Sequence, residues 1–267
     1  MNDNVVLLAL IATLGTWLMT ALGAATVIFF KTENRKIMNL ILGFAAGVMI
    51  AASFWSLLQP AIERAESFLK TPSWLVVTAG FMCGALFMWA SDKAVTYARR
   101  RITTGKSSGE RLNRIIMLVL SITLHNIPEG LAVGVAFGAL KGNMTDIEAV
   151  MCAVTIAVGI GLQNFPEGAA VSLPLRREGF SRRKSFLVGQ ASALVEPIAG
   201  VIGALAVVYM ETILPFALSF AAGAMILVAV HELIPECQQN QKANPYSATM
   251  GIVAGFTIMM LLDVALG

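Results

Sequence analysis

The chain has 267 residues, 57% of them hydrophobic and only 13% charged, with a mean hydropathy of +0.76 and a formal net charge of +3. Soluble domains carry about 25% charged residues, so this composition excludes an ordinary water-soluble enzyme, a disordered chain and a nucleic-acid-binding module. Three cysteines, Cys83, Cys152 and Cys237, form neither an even set nor a CxxC pair, which speaks against a disulfide framework or a cysteine zinc site. What remains is an all-α, polytopic membrane protein with residues 1–267 forming a single transmembrane domain.

Segments apolar enough to cross about 30 Å of hydrocarbon are predicted near 5–30, 38–62, 74–97, 115–139, 147–174, 185–209, 212–236 and 247–266. The first follows Met1-Asn2-Asp3-Asn4 without a basic n-region and is too long for a signal h-region, so it is expected to be a retained helix. Eight crossings put both termini on one side and the loops 31–37, 99–114, 175–184 and 237–246 on the other. Those loops hold three, six, five and one Lys or Arg, fifteen of the nineteen in the chain. Arg64, Lys70 and Lys141 face the other way, and Lys93 lies near a helix end. By the positive-inside rule the expectation is a multi-pass protein of the cell (plasma or inner) membrane with both termini outside. The basic loop 99–114 is read as a cytoplasmic topology signal against anionic headgroups. Glycines at four-residue spacing (Gly43/Gly47, Gly80/Gly84, Gly130/Gly134/Gly138, Gly251/Gly255) permit close helix contact. They fit either fixed or sliding helix faces, and they allow a homodimer.

Ionisable residues inside a span cost roughly 2.5–3.5 kcal/mol each on insertion scales, and here they cluster. The fourth span holds His125-Asn126-Ile127-Pro128-Glu129-Gly130 and the fifth holds Gln163-Asn164-Phe165-Pro166-Glu167-Gly168, one motif written twice on adjacent antiparallel helices. Positions i and i+4 share a helix face, which puts His125 over Glu129 and Gln163 over Glu167. Asn126 and Asn164 point about 100° away and can serve a neighbouring position. Pro128 and Pro166 conflict with the carbonyls of Leu124 and Leu162. The glycines that follow, Gly130 and Gly168, let another backbone or a hydrated ion approach. The sixth span adds Glu196-Pro197 in mid-helix, and the seventh ends in His231-Glu232-Leu233-Ile234-Pro235-Glu236. That run is not the metalloprotease His-Glu-x-x-His, because Pro235 stands where the second histidine is required. Three close carboxylates must either hold protons or share a cation. Imidazole, carboxylate and amide oxygen together suit a borderline divalent ion such as zinc, and no thiolate joins them, which suits carriage more than anchoring.

On these residues the chain resembles the ZIP family of divalent-metal transporters, and within it the prokaryotic GufA-like branch. The carrying features are the doubled motif, Glu196 and His231-Glu232. The resemblance implies eight transmembrane helices in a 3+2+3 arrangement, spans 1–3 and 6–8 being related as an inverted repeat. It implies that His125, Glu129, Gln163 and Glu167 bind one ion, with Met49 as a soft ligand. Asn126, Asn164 and Glu196 would bind a second, Glu129 and Glu167 bridging the two. His231, Glu232 and Asp263 resemble positions on an inner exit route. The expected function is secondary transport of Zn²⁺, with Cd²⁺, Fe²⁺ and Mn²⁺ as further candidates, into the cytoplasm by alternating access. No catalytic residue, no cofactor and no nucleic-acid partner is expected; the partners are divalent metal ions and the lipid bilayer. No GxxxxGK[ST] loop is present, so ATP is not the direct energy source. The rival readings are a proton-coupled carrier or channel for another solute, with the glutamates as a relay, and an intramembrane metalloenzyme.

Overall fold

The computed structural model describes residues 2–29, 35–68, 70–102, 108–238 and 246–266. Among these residues every regular element is helical. In chain order they are α1 (Asn2–Ala25), α2 (Arg35–Ala52), α3 (Gln59–Phe68), α4 (Ser73–Ile102), α5 (Ser108–Gly138), α6 (Ile147–Arg177), α7 (Arg182–Ala191), α8 (Val195–Tyr209), α9 (Leu214–Val228), α10 (Ile234–Gln238) and α11 (Ser247–Leu266). Seven stretches of the described residues are long and apolar enough to cross a membrane, and they coincide with seven of the expected spans. The other expected span, 115–139, lies within α5, whose 31 residues at about 1.5 Å each exceed the thickness of the hydrocarbon. The basic segment expected as a loop over 99–114 is helical at both ends: α4 continues to Ile102 and α5 begins at Ser108. Arginine is a good helix former, so each helix runs on into the polar zone. Lys31, Lys106 and Lys242 lie outside the described residues.

Prolines act on these helices in three different ways. α5 and α6 run through Pro128, Pro166 and Pro174 without ending. Ahead of Pro60 and Pro235 the helix widens instead: π-helical segments Ser53–Leu58 and Ala229–Leu233 join α2 to α3 and α9 to α10. A proline ring conflicts with the carbonyl four residues back, and both segments replace that pairing with i→i+5 bonds, the Gln59 N–H donating to the Phe54 carbonyl and that of Ile234 to Ala229. At Pro197 the structure corrects the expectation of a mid-helix proline. The sixth span is interrupted by a turn at Ser192–Leu194, and Pro197 sits in the first turn of α8, where its missing N–H has no intrahelical partner to lose.

The helices pack most closely in four pairs: α2 with α11, α4 with α9, α5 with α8, and α1 with α6. Exchanging α1 with α8, α2 with α9, α4 with α11 and α5 with α6 maps this set of pairs onto itself, the pairing an inverted repeat generates. The pairs form two groups, one of α1 and α5–α8, the other of α2–α4 and α9–α11, which meet chiefly where α2 lies on α6 and α5 on α9. Apolar side chains fill the junction, with Met49, Leu57, Val133, Ile156, Ile160 and Met225 all buried in one cluster.

The spaced glycines lie inside the pairs rather than between the groups. A Cβ on Gly47 would overlap the Ile252 carbonyl of α11, one on Gly84 the Phe220 carbonyl of α9, and one on Gly134 the Gly200 carbonyl of α8. Their absent side chains let the backbones within each pair touch. Gly15, by contrast, has open space beside it. Replacing Gly134 with alanine is therefore expected to destabilise the protein by about 1–3 kcal/mol, the usual cost of overpacking, and to lower its thermal midpoint in detergent. Gly15→Ala, measured alongside, should leave that midpoint unchanged or raise it slightly.

Candidate metal centre

The doubled motif lies on neighbouring antiparallel helices, and its polar side chains are removed from solvent: Asn126, Glu129, Gln163, Asn164 and Glu196 are each 0% exposed, Glu167 6% and His125 7%. Most of their hydrogen bonds run between helices rather than along them. Gln163 was expected over Glu167, one turn further along; instead its Nε2 donates to Glu129 Oε1 on α5 at 2.7 Å. His125 was expected over Glu129; its Nε2 meets Glu232 Oε1 at 2.8 Å, reaching from α5 to the π segment after α9. Asn164 Nδ2 lies 2.9 Å from both carboxylate oxygens of Glu196, and Thr16 of α1 donates its hydroxyl to Glu196 Oε2 at 2.5 Å. The i, i+4 spacing puts each pair on one face, but the hydrogen-bond partner stands on another element.

The turn before α8 explains the role of Asn126. The Glu196 N–H bonds the Ala193 carbonyl at 3.0 Å, which leaves the Ser192 carbonyl without its helical donor. Asn126 Nδ2 takes that carbonyl at 3.2 Å while also reaching the Ile122 carbonyl at 2.9 Å. Gly130 and Gly168, which left both a backbone and an ion as candidates, are filled by backbone: a Cβ on Gly130 would overlap the Glu196 carbonyl, and one on Gly168 the Thr20 carbonyl. The two motif glycines thus press α8 and α1 against the motif helices and set Glu196 and Thr16 beside Asn164.

After these bonds are counted, five buried oxygens of the motif have no hydrogen-bond partner: Asn126 Oδ1, Glu129 Oε2, Gln163 Oε1, Asn164 Oδ1 and Glu167 Oε2. All five are acceptors. Buried polar groups without partners are costly, more so when charged. A group of acceptors with no donor among them has the chemistry of a cation site. Among the described residues no three His, Cys, Asp or Glu side chains come close enough to hold an ion by themselves. The reason is visible in the motif: amides occupy Asn126, Gln163 and Asn164, so the acidic residues do not converge alone.

Two cavities flank the centre. One of about 450 Å³ is lined by Met38, His125, Glu167, His231, Glu232 and Glu236, among others, and faces the ends of α6 and α10, the side of the basic loops. The other, of about 470 Å³, is lined by Glu63, Arg64, Asp146, Glu148, Cys152 and Asp263 at the end bearing the termini. On α5 and α6 the turns between the motif and this second cavity carry Val133, Ile156 and Ile160, all buried. The first cavity thus reaches His125 and Glu167 of the motif, while buried apolar residues stand between the motif and the second. Asp263, expected with His231 and Glu232 on an inner exit route, is instead at the end bearing the termini, accepting a 2.5 Å hydrogen bond from Ser56. A lone carboxylate near a helix end carries no information about which end it shares with a distant residue. His231 lines the first cavity with Nε2 4.0 Å from Asp92 Oδ2. Met49 is 1% exposed on α2 and lines neither cavity.

The family profile described as ZIP Zinc transporter matches residues 4–114 and 105–263, nearly the whole chain. The chain belongs to the ZIP zinc transporter family. Among curated ZIP relatives it is 39% identical to zinc transporter ZIP11 of Homo sapiens over 336 aligned positions, covering 97% of each chain. It is 34% identical to zinc transporter GufA of Myxococcus xanthus, covering 97% of this chain and 98% of the relative. Zinc transporter ZIPB of Bordetella bronchiseptica is 35% identical, covering 93% of this chain and 78% of the relative. Membership of a transporter family agrees with the expectation of no enzymatic activity.

Sequence reasoning missed Thr16 and Glu232 as partners of this ZIP centre. A signal for the first was present: Thr13, Thr16 and Thr20 form a polar stripe at helical spacing in an apolar span, and all three are buried. The pairing of His125 with Glu232 had no local signal, since 107 positions separate them. In a cysteine-free background, Ala170→Cys, in the first cavity, should react with an impermeant thiol reagent only from the basic-loop face. Gln59→Cys, in the second, should react only from the face bearing the termini. Labelling of oriented proteoliposomes from each side measures both.

Proposed function

We propose that this chain is a secondary transporter that carries Zn²⁺ into the cytoplasm by alternating access, with Cd²⁺, Fe²⁺ and Mn²⁺ as further candidate cargo. The observation that carries this reading is the set of five donorless oxygens on the doubled motif. A proton relay answers fewer of them: protons on Glu129 and Glu167 make those two oxygens donors to at most two of the three amide oxygens and leave one without a partner, whereas one divalent ion accepts several oxygens at once. The names of the curated relatives support zinc as the cargo. The ligand set is Glu129 and Glu167 as the anionic pair, with the oxygens of Asn126, Gln163 and Asn164 around them. His125 joins when it leaves Glu232, and Met49, on the other helix group, is the candidate sulfur ligand.

The mechanism follows from the two groups and the two cavities. The motif belongs to α5 and α6, in one group, while Glu232 belongs to the other, so the His125–Glu232 contact crosses the junction between them. With the centre reached from the basic-loop side, the conformation is a releasing one facing the cytoplasm. There Glu232 competes with the ion for His125 and lowers the affinity of the site. Loading requires the α1 and α5–α8 group to shift relative to the other, closing the first cavity and opening the apolar layer of Val133, Ile156 and Ile160 toward the second. The acidic residues Glu63, Asp146, Glu148 and Asp263 of the second cavity raise the local cation concentration at the entrance. The fifteen basic residues in the loops of the opposite face orient the chain in the plasma or inner membrane with both termini outside. The motive force is the ion gradient and the membrane potential, worth about 2.3 kcal/mol per elementary charge per 100 mV.

Glu129→Ala and Glu167→Ala are each expected to reduce Zn²⁺ uptake into proteoliposomes at least tenfold while the protein remains expressed and monodisperse. Uptake at the wild-type rate in both variants would remove the motif from the transport path.

A further inference from the structure

We infer that this transporter holds a single ion, because the position of a second one, around Glu196, is closed by a fixed set of hydrogen bonds from Asn164 and Thr16. The inference rests on the reading of the motif as a metal site and concerns how many ions that site takes.

The contrast among the three buried glutamates carries the argument. Glu129 and Glu167 each keep an oxygen without a partner, whereas neither oxygen of Glu196 is left in that state. Asn164 Nδ2 stands 2.9 Å from Oε1 and 2.9 Å from Oε2, and Thr16 donates to Oε2 at 2.5 Å. Chemistry settles the orientation of the Asn164 amide, which coordinates alone cannot. The same Nδ2 also lies 3.4 Å from the Thr16 carbonyl, so a flipped amide would set its oxygen against that carbonyl and both oxygens of Glu196, three acceptors facing a fourth. The amide hydrogens therefore point at Glu196, and a cation between the two residues would meet N–H groups rather than lone pairs.

One further feature holds the arrangement without a metal: the helix that carries Thr16 is pressed onto α6 at Gly168, where a Cβ would overlap the Thr20 carbonyl. Rotating Asn164 to turn its oxygen toward Glu196 would give up its contacts with that carboxylate and would place Oδ1 toward the carbonyl of Thr16. An aspartate at this position would have no hydrogens to present and would leave Glu196 in need of a cation. Asn164 is thus the residue that decides the number of ions, with Thr16 as a positioning residue acting through Glu196.

The test is the stoichiometry of Zn²⁺ and of Cd²⁺ bound to the full-length protein in detergent, by equilibrium dialysis with elemental analysis. One ion per chain is expected for the wild type and for Glu196→Gln, and two for Asn164→Asp. Two ions on the wild type, falling to one in Glu196→Gln, would overturn the inference, as would a monodisperse Asn164→Asp that still binds one. Should Asn164→Asp fail to fold, the wild type and Glu196→Gln still decide between one ion and two. Glu129→Gln separates the underlying reading: it should bind less than a tenth of an ion per chain. A wild type that binds no ion at all would strike the metal reading itself.

Discussion

A carboxylate in the middle of a bilayer is stable only where something answers its charge, because no water is there to do so. Glu129, Glu167 and Glu196 meet this demand within a small volume, and the rest of the bundle is arranged around how each is answered. Glu196 is answered by the protein, through Thr16 and Asn164. Glu129 is answered in part, by the Gln163 amide on one oxygen. Oε2 of Glu129 and Oε2 of Glu167 have no partner in the protein, and in the proposed function it is a cation that answers them.

The backbone around the centre follows from the same demand. Helices bearing buried carboxylates must be approached closely by neighbours that supply partners, and Gly130 and Gly168 permit that approach by α8 and α1. The break before α8 brings Glu196 to a helix N-terminus and frees the Ser192 carbonyl, to which Asn126 Nδ2 donates. Elsewhere glycine spacing locks helices in pairs. Close contact thus falls within each group, and side-chain packing falls between the groups, which is the distribution required if one group is to move against the other without the pairs coming apart.

Much of the architecture was legible in the amino-acid sequence because the bilayer imposes one-dimensional rules. Span length, the asymmetry of Lys and Arg and the doubled His/Gln-Asn-x-Pro-Glu-Gly motif are all local patterns, and the helices, the polar centre and its residues follow from them. Less legible were the prolines. One residue type gave an uninterrupted helix at Pro128 and Pro166, a π segment ahead of Pro60 and Pro235, and a first-turn position at Pro197. The ring is the same in each case; its place in the helix differs, and at Pro197 a turn has already ended the preceding helix.

The sequence by itself determined which residues are polar at mid-membrane, that they come as two copies of one motif, and which side the basic loops share. Only the tertiary structure decided how those residues are partnered. His125 turns to Glu232 rather than Glu129, Gln163 to Glu129 rather than Glu167, Asn164 to Glu196, and Asp263 to Ser56 at the end opposite His231. The physical reason is that a buried hydrogen bond is chosen by distance and direction across a helix contact, not by spacing along one helix. Those contacts are set by the backbone approach of helices far apart in the chain. The small share of charge with which the composition stands out is therefore divided between two tasks: the basic residues lie mostly at one end of the spans, and the few acids inside are sorted by whether a neighbour donates to them.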